Sequence, residues 1–534
     1  MERTFPAISA SPGIWTGTVH RQSDLSGLSR ISGNPAREAE ALASAISAAL
    51  ESLAALAATQ AGEAADMLAF QAAMLEDPEL AELAFQKIDN GMAAEAAWQE
   101  CMAAEIDGYE LSGDEYFRAR SADLADIRDR VLAGIFGVPA NTAIAVGAVI
   151  VAQDLKPSVF LDADWDKGGA IILGKGSAAS HVAMLARARG VPMVVGLGEE
   201  WQRLEGAVMV DAMAGSVTVN PDAATIMSAS HRASIETARK QAAATRIADP
   251  AVTRDGTCIK VMINVATLAD LKGLNASQID GIGLTRTEFL VEKALRDEDK
   301  QFADYSSLLK WAGAKPVTIR TFDAGGDKPV PGYTLAGESN PLLGLRGIRL
   351  SLQHKDVFKV QLRAILRAAV HGNAKIMLPM VTDTNDLESA RELINQCSGE
   401  LNAAGVAHSI PELGIMVEVP AVAMAPELFD AEFFSIGSND LTQYATAAGR
   451  DSAEAARWAD VTHPGVLAMI ANVARHGIAT GKEVSLCGDA GGEPASIGSL
   501  LKEGVRCVSV APGLLALAKA AIRATDLSGN GVAA

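Results

Sequence analysis

The chain predicts a multidomain α/β protein: an α/β unit interrupted by a helical bundle, then a C-terminal (β/α)8 TIM-type barrel. Three observations predict it. Between residues 36 and 132 alanine is abundant and apolar residues recur every three or four positions, as in Leu42, Ile46, Leu50, Leu53 and Leu56, which is the period of packed helices. Near Pro139 the pattern changes to short apolar runs separated by turns. From Asp255 onward eight short apolar runs alternate with helical stretches over roughly 270 residues, the count and length of a closed α/β barrel.

The elements follow in order. Within the first 25 residues Ser11-Pro12-Gly13-Ile14 marks a turn between short apolar runs, and this segment is expected to supply the first strand of the α/β unit. The bundle is then an insertion. Inside it, Glu76-Asp77-Pro78-Glu79 reads as a helix start, with Asp77 as the N-cap and Pro78 at the first helical position. The α/β unit resumes with strands expected at 143–151, 170–173, 193–196, 207–211 and 216–219, and with a helix at 182–188. Residues 222–250 read as an alanine-rich helical connector. The barrel strands are expected at 259–265, 282–284, 317–321, 375–380, 413–417, 433–436, 484–486 and 507–510. The domains divide accordingly into 1–25 with 140–222, 26–139, 223–252 and 253–534.

Composition narrows the function. With 49% hydrophobic and 21% charged residues in 534, a water-soluble globular protein is expected. No uninterrupted apolar run approaches the length of a bilayer span, so no membrane insertion is expected. Residues 1–13 lack a basic start and a long apolar stretch, and the five cysteines are scattered without metal-type spacing. Both features point to a reducing cytoplasm. A net charge of −19 excludes nucleic acid as a partner, because phosphates must be neutralised by clustered Lys and Arg. It suits a basic protein partner instead. The acid concentrates between Glu63 and Arg130, where 17 Asp and Glu face 5 Lys and Arg.

The reactive groups cluster at element ends. His181, in Ser180-His181-Val182-Ala183-Met184, falls between the strand at 170–173 and the helix at 182–188. Amide groups and the dipole at a helix start favour an anion, so an imidazole there is suited to carry a phosphoryl group. In a barrel, reactive groups belong just after the strands. Arg286, Glu418, Asp440 and Cys487 follow expected strands and Arg320 stands at the end of one, while Arg346 lies in the loop Asn340-Pro341-Leu342-Leu343-Gly344-Leu345-Arg346 and Arg450 comes shortly after Asp440. Four arginines and two carboxylates on one rim describe a site for a small polyanion with a divalent cation. Arginine forks bind carboxylate and phosphate in bidentate fashion, and Glu418 and Asp440 offer the hard oxygens Mg²⁺ prefers. Cys487, at a strand end beside such a site, is a candidate proton donor.

Taken together, these segments resemble the phosphoenolpyruvate-utilising enzymes, and within them the Enzyme I type of phosphoenolpyruvate–protein phosphotransferase. The resemblance rests on Ser11-Pro12-Gly13, on Phe-Gln-Ala-Ala-Met-Leu-Glu-Asp-Pro-Glu-Leu at 70–80, on 116–132, and on Val-Ile-Val-Ala-Gln-Asp-Leu-Lys-Pro-Ser at 149–158. It implies that His181 is the phosphorylated histidine. It also implies that Arg286, Arg320, Arg346 and Arg450 hold phosphoenolpyruvate, with Asn439 and Lys328 assisting. By the same resemblance Glu418 and Asp440 bind Mg²⁺ and Cys487 protonates the enolate to pyruvate. The implied partner is a small histidine-containing phosphocarrier protein docking on the helical insertion, and the implied assembly is a homodimer through the barrel. The family usually reads Gly-Gly-x-Thr-Ser-His before the histidine; this chain has Gly176-Ser177-Ala178-Ala179-Ser180-His181, losing one glycine and the threonine hydroxyl. Two alternatives stand beside this reading. A dikinase or synthase of the same family needs a nucleotide-binding domain, and no Gly-x-x-x-x-Gly-Lys-[Ser/Thr] loop is visible. An inactive partner-binding scaffold is motivated by the altered loop and opposed by the intact Arg, Glu, Asp and Cys set.

Overall fold

The computed structural model describes residues 2–21, 34–58, 63–110, 115–138, 144–176, 180–288, 294–326, 330, 332–335, 338–449 and 455–528. The chain forms two compact units, Met1–Thr237 and Ala238–Ala534.

In the first unit, eight strands form one sheet in the order β1-β8-β7-β3-β4-β5-β6-β2. These are β1 (Arg3–Pro6), β2 (Ile8–Ser11), β3 (Ile14–Arg21), β4 (Val149–Ala152), β5 (Ala170–Leu173), β6 (Met193–Val195), β7 (Ala207–Asp211) and β8 (Ser216–Val219). The N-terminal segment supplies the first strand of the unit, as expected, and two more besides. Pro6 and Pro12 divide the segment, because each fixes its own φ and lacks a ladder N–H. The pieces pair separately: β1 runs antiparallel to β8, β2 antiparallel to β6, and β3 joins β4 in parallel and β7 antiparallel. The strand expected at 143–151 is shorter, starting at Val149, and residue 143 lies outside the described residues.

Side chains alternate across this sheet with a period of two. Ile150, Ile171, Leu173, Met193 and Val195 face one core, while Val149, Val151, Ala170, Ile172 and Val194 face another. The insertion comprises α1 (Pro35–Ala57), α2 (Glu63–Glu76), α3 (Pro78–Asp89), α4 (Ala94–Glu110) and α5 (Glu115–Phe136). Its apolar residues, including Leu42, Leu53, Leu68, Trp98 and Ile127, belong to the same cluster as the first sheet face. The bundle therefore shares its core with the sheet. Asp77 caps α3 as expected, accepting a hydrogen bond from Glu79 N at 3.0 Å with Pro78 next. By length and composition α1 could cross a membrane, but Leu42, Ala45, Ala49 and Leu53 are buried in the bundle. A polar seam ties α5 to α6 (Pro157–Asp162): Asp126 accepts from Ser158 N at 3.1 Å and Ser158 Oγ at 2.6 Å, and Lys156 pairs with Asp129. After β8, α8 (Ala223–Thr245) fills the expected connector, and the division between the units falls within it.

The second unit is a closed barrel of parallel strands: β9 (Lys260–Val265), β10 (Ile282–Thr285), β11 (Pro316–Arg320), β12 (Asn373–Leu378), β13 (Glu412–Val417), β14 (Phe433–Gly437), β15 (Glu483–Cys487) and β16 (Cys507–Val510). Pairing of β16 with β9, from Cys507↔Lys260 to Val510↔Ile263, closes it. Each expected barrel strand is present within two residues at either end. Leu284, Met377, Met416, Phe433 and Cys487 form a small apolar cluster of their own. Outer helices such as Thr384–Ala403 and Pro464–Thr480 bury one apolar face on the strands.

Candidate active site

β5 ends at Leu173 and α7 (His181–Arg189) begins at His181, with the Ser180 hydroxyl accepting from Ala183 N at 3.3 Å as N-cap. This is the carboxyl end of a parallel strand, where α/β folds place their ligands. Val182, Ala183 and Ala186 are buried and anchor the helix. Gly190 ends it in the left-handed region at φ 67°. Ser177, Ala178 and Ala179 lie outside the described residues, as does the His181 side chain.

The barrel mouth gathers charge. Arg320, the last residue of β11, is 5% exposed and pairs with Glu288 and with Asp323 Oδ2 at 3.1 Å. Arg346 is fully buried. Its Nε and Nη2 donate to Asp323 at 3.0 and 3.1 Å, its Nη1 and Nη2 to Asp440 at 3.1 and 3.2 Å, and its Nη1 to the Tyr444 hydroxyl at 3.3 Å. Burial works against both guanidinium charges, but the carboxylates outweigh it. Glu288 and Asp323 hold the Arg320 pKa above its ordinary value, and Asp323 and Asp440 do so for Arg346. Asp440 stands in the first turn of the helix Ser438–Thr446, where the dipole favours a carboxylate.

Glu418 follows β13 and is 1% exposed. Its Oε1 accepts from Met380 N at 2.7 Å, and Met380 adopts a left-handed φ of 57° to aim that N–H. Burial first, then the charges of Asp440 and Asp323, push the Glu418 carboxyl up to about 8. Glu288, Asp323, Glu418 and Asp440 gather around Arg320 and Arg346, and Glu418 with Asp440 offers hard carboxylate oxygens that fit a divalent cation. Among the described residues no three His, Cys, Asp or Glu side chains gather as a metal site. Substrate oxygens and water would complete the coordination shell. Gly437 leaves the room: a Cβ there would stand 2.9 Å from Glu418 Cβ and 3.0 Å from Oε2. Gly437→Ala is expected to displace the carboxylate and, if Glu418 is a ligand, to weaken divalent-cation binding by roughly 10- to 100-fold, measured by calorimetric titration.

Cys487 ends β15 and is 2% exposed. Burial pushes its thiol up to about 11, so it carries its proton at neutral pH. The Ser435 hydroxyl donates to Sγ at 3.7 Å, and the thiol donates to Ile436 O at 3.5 Å. Asn439 is locked to Asp489, donating to Oδ2 at 3.0 Å and accepting from its N at 3.0 Å. Arg286 is half-buried in a cleft with Asn264, Asp270 and Asp489. Lys328 and Arg450 lie outside the described residues.

The structure thus brings Arg320, Arg346, Glu418 and Asp440 into one charged cluster. Sequence reasoning missed the residues that organise it. Asp323 bridges the two arginines, Glu288 holds Arg320, and Gln361 clamps the loop after β11. Gln361 accepts from Phe322 N at 2.9 Å and donates to the Thr287 hydroxyl at 3.1 Å. Asp323 and Glu288 follow their strand ends by a few residues, which was the available signal; Gln361, on the helix Lys355–Ala368, gave none.

A parallel barrel with arginines and carboxylates at its carboxyl rim, in one chain with a unit that has a histidine at a helix start, defines an enzyme that handles a small phosphorylated anion. Family models agree. The N-terminal segment of the PEP-utilising enzymes matches residues 6–120, their mobile domain 144–215 and their PEP-binding domain 240–527. The chain belongs to the PEP-utilising enzyme family. It is 36% identical to a phosphoenolpyruvate-protein phosphotransferase of Geobacillus stearothermophilus, over 94% of this chain and 90% of that one. It is also 36% identical to one from Haloferax volcanii, over 85% and 80%. A multiphosphoryl transfer protein of Rhodobacter capsulatus is 36% identical over 85% of this chain and 56% of its own length.

Proposed function

We propose that this protein transfers the phosphoryl group of phosphoenolpyruvate to His181 and then to a small histidine-containing carrier protein, releasing pyruvate. The cluster of Arg320, Arg346, Glu418 and Asp440 at the barrel mouth carries this reading, in a chain whose relatives are named for that reaction. The names of those relatives also set aside the nucleotide-dependent alternative.

Phosphoryl transfer needs placement and charge stabilisation more than covalent help. Arg286, Arg320, Arg346 and Arg450 bind the carboxylate and phosphate, with Asn439 and Lys328 assisting. Glu418 and Asp440 would hold Mg²⁺, which when bound would supply charge neutralisation at the phosphate and carboxylate oxygens. Neutral His181 attacks phosphorus through Nε2, and the charge of the new phosphohistidine is favoured by the start of α7. Cys487, protonated at neutral pH, gives its proton to the enolate carbon. The acidic stretch 63–130 of the helical insertion suits a basic carrier. The reading includes a cytoplasmic location and a homodimer through the barrel.

Incubation with ³²P-phosphoenolpyruvate and Mg²⁺, without carrier, followed by peptide mapping, tests the reading. Label on His181 is expected, and active protein unlabelled there overturns it. Cys487→Ala is expected to keep phosphoryl exchange between His181 and phosphorylated carrier while slowing pyruvate formation by roughly 10²–10⁴. Equal loss of both rates would remove Cys487 from the proton step.

A further inference from the structure

An arginine has five N–H donors, and in Arg346 every one is spent on the protein. Asp323 takes Nε and one Nη2 hydrogen, Asp440 takes one hydrogen from each Nη, and the Tyr444 hydroxyl takes the last. Nothing remains for a substrate unless a partner lets go. Asp323 is a poor candidate, being fully buried and also paired with Arg320. Tyr444 is fixed in turn, donating to Leu342 O at 2.6 Å. Asp440 differs. It lies at the start of its own helix, is 7% exposed, and is close enough to Glu418 for their charges to interact.

We propose that Asp440 is an exchangeable latch on Arg346: without a divalent cation its carboxylate holds two guanidinium N–H groups, and it frees them for the substrate when it turns to the cation instead. Asp323 is the fixed pivot about which the freed guanidinium stays aimed. The inference rests on reading the barrel mouth as the phosphoenolpyruvate site. It makes cation and substrate binding reciprocal, because each favours the state in which Asp440 and Arg346 are apart. It also explains how an arginine with no spare donor can serve as a substrate ligand.

The test uses full-length His181→Ala protein, so that bound phosphoenolpyruvate is not consumed, and calorimetric titration in EDTA and in Mg²⁺. In this background Asp440→Asn is expected to bind phosphoenolpyruvate in EDTA about tenfold tighter, or more, and to gain little from Mg²⁺. Loss of a negative charge alone would also tighten binding. The titration is therefore repeated with Arg346→Gln, where the gain should vanish; a gain of equal size there overturns the latch. Should Arg346→Gln fail to fold, a crystal structure with Mg²⁺ and no anion decides. Nη-to-Asp440 separations beyond about 4 Å support the latch, and both hydrogen bonds intact beside a bound cation overturn it. Failure of phosphoenolpyruvate to bind even with Mg²⁺ would sink the functional reading itself. Binding with Mg²⁺, but no metal-free gain in Asp440→Asn, would sink the latch alone.

Discussion

Glu418→Gln is expected to stabilise the protein in EDTA at pH 8 to 9 while reducing phosphoenolpyruvate turnover by about 10³ or more. The two effects have one cause. In the folded barrel the Glu418 carboxyl is pushed up to about 8 by burial and by Asp440 and Asp323, whereas an unfolded glutamate titrates near 4.5. A group raised in this way contributes stability that is complete below the unfolded value and is lost as pH rises through the folded one. The metal-free protein should therefore lose a few kcal/mol between about pH 4.5 and 8. Glutamine stays neutral throughout and still offers an oxygen to Met380 N. Its melting temperature should be flat across that window, where the parent's declines. Added Mg²⁺ should raise the parent's melting temperature, by binding the folded state, and leave the variant's unchanged. A variant that declines with pH as steeply as the parent would show that another group titrates there.

Arg320→Met should produce the second large effect, on folding and turnover together. Arg320 is 5% exposed, and its removal takes a guanidinium partner from both Glu288 and Asp323, the latter keeping its pair with Arg346. Breaking a buried pair in this way costs about 3–5 kcal/mol, which denaturant unfolding would register. Adding Glu288→Gln removes the carboxylate that lost this partner and should recover part of that loss. Turnover should fall by about 10²–10³ in the single variant and stay low in the double, because the guanidinium proposed to hold the substrate is still missing. Recovery of turnover along with stability would make Arg320 a structural residue only.

How much of this was legible beforehand follows from what is local. β5, β7, β8 and β16 run over the residues their apolar runs mark, since each run is bounded by turn residues and buried on both faces or in a barrel wall. Arg320, Glu418 and Cys487 could be picked out for the same reason: a strand end is a local feature, and in a barrel it faces the mouth. The division of the N-terminal segment into three strands was not legible because β1 and β2 are defined by partners, β8 and β6, some 180 to 220 residues away. The pairing of charges was beyond reach for a related reason. Nothing in the spacing of Arg346 and Asp440, 94 positions apart, says that one spends two donors on the other.

The order of residues alone determined the barrel, the sheet, the bundle inserted into it and the chemical types present at the strand ends. Periodicity and turn residues act over a few positions, and a closed parallel barrel leaves those ends one place to go. Only the tertiary structure decided that Asp323 joins two arginines, that burial beside Asp440 pushes the Glu418 carboxyl upward, and that Arg346 has no donor to spare. Those outcomes depend on burial and on loops from different strands converging, and electrostatics in a dry site is set by distances that the chain acquires only when folded.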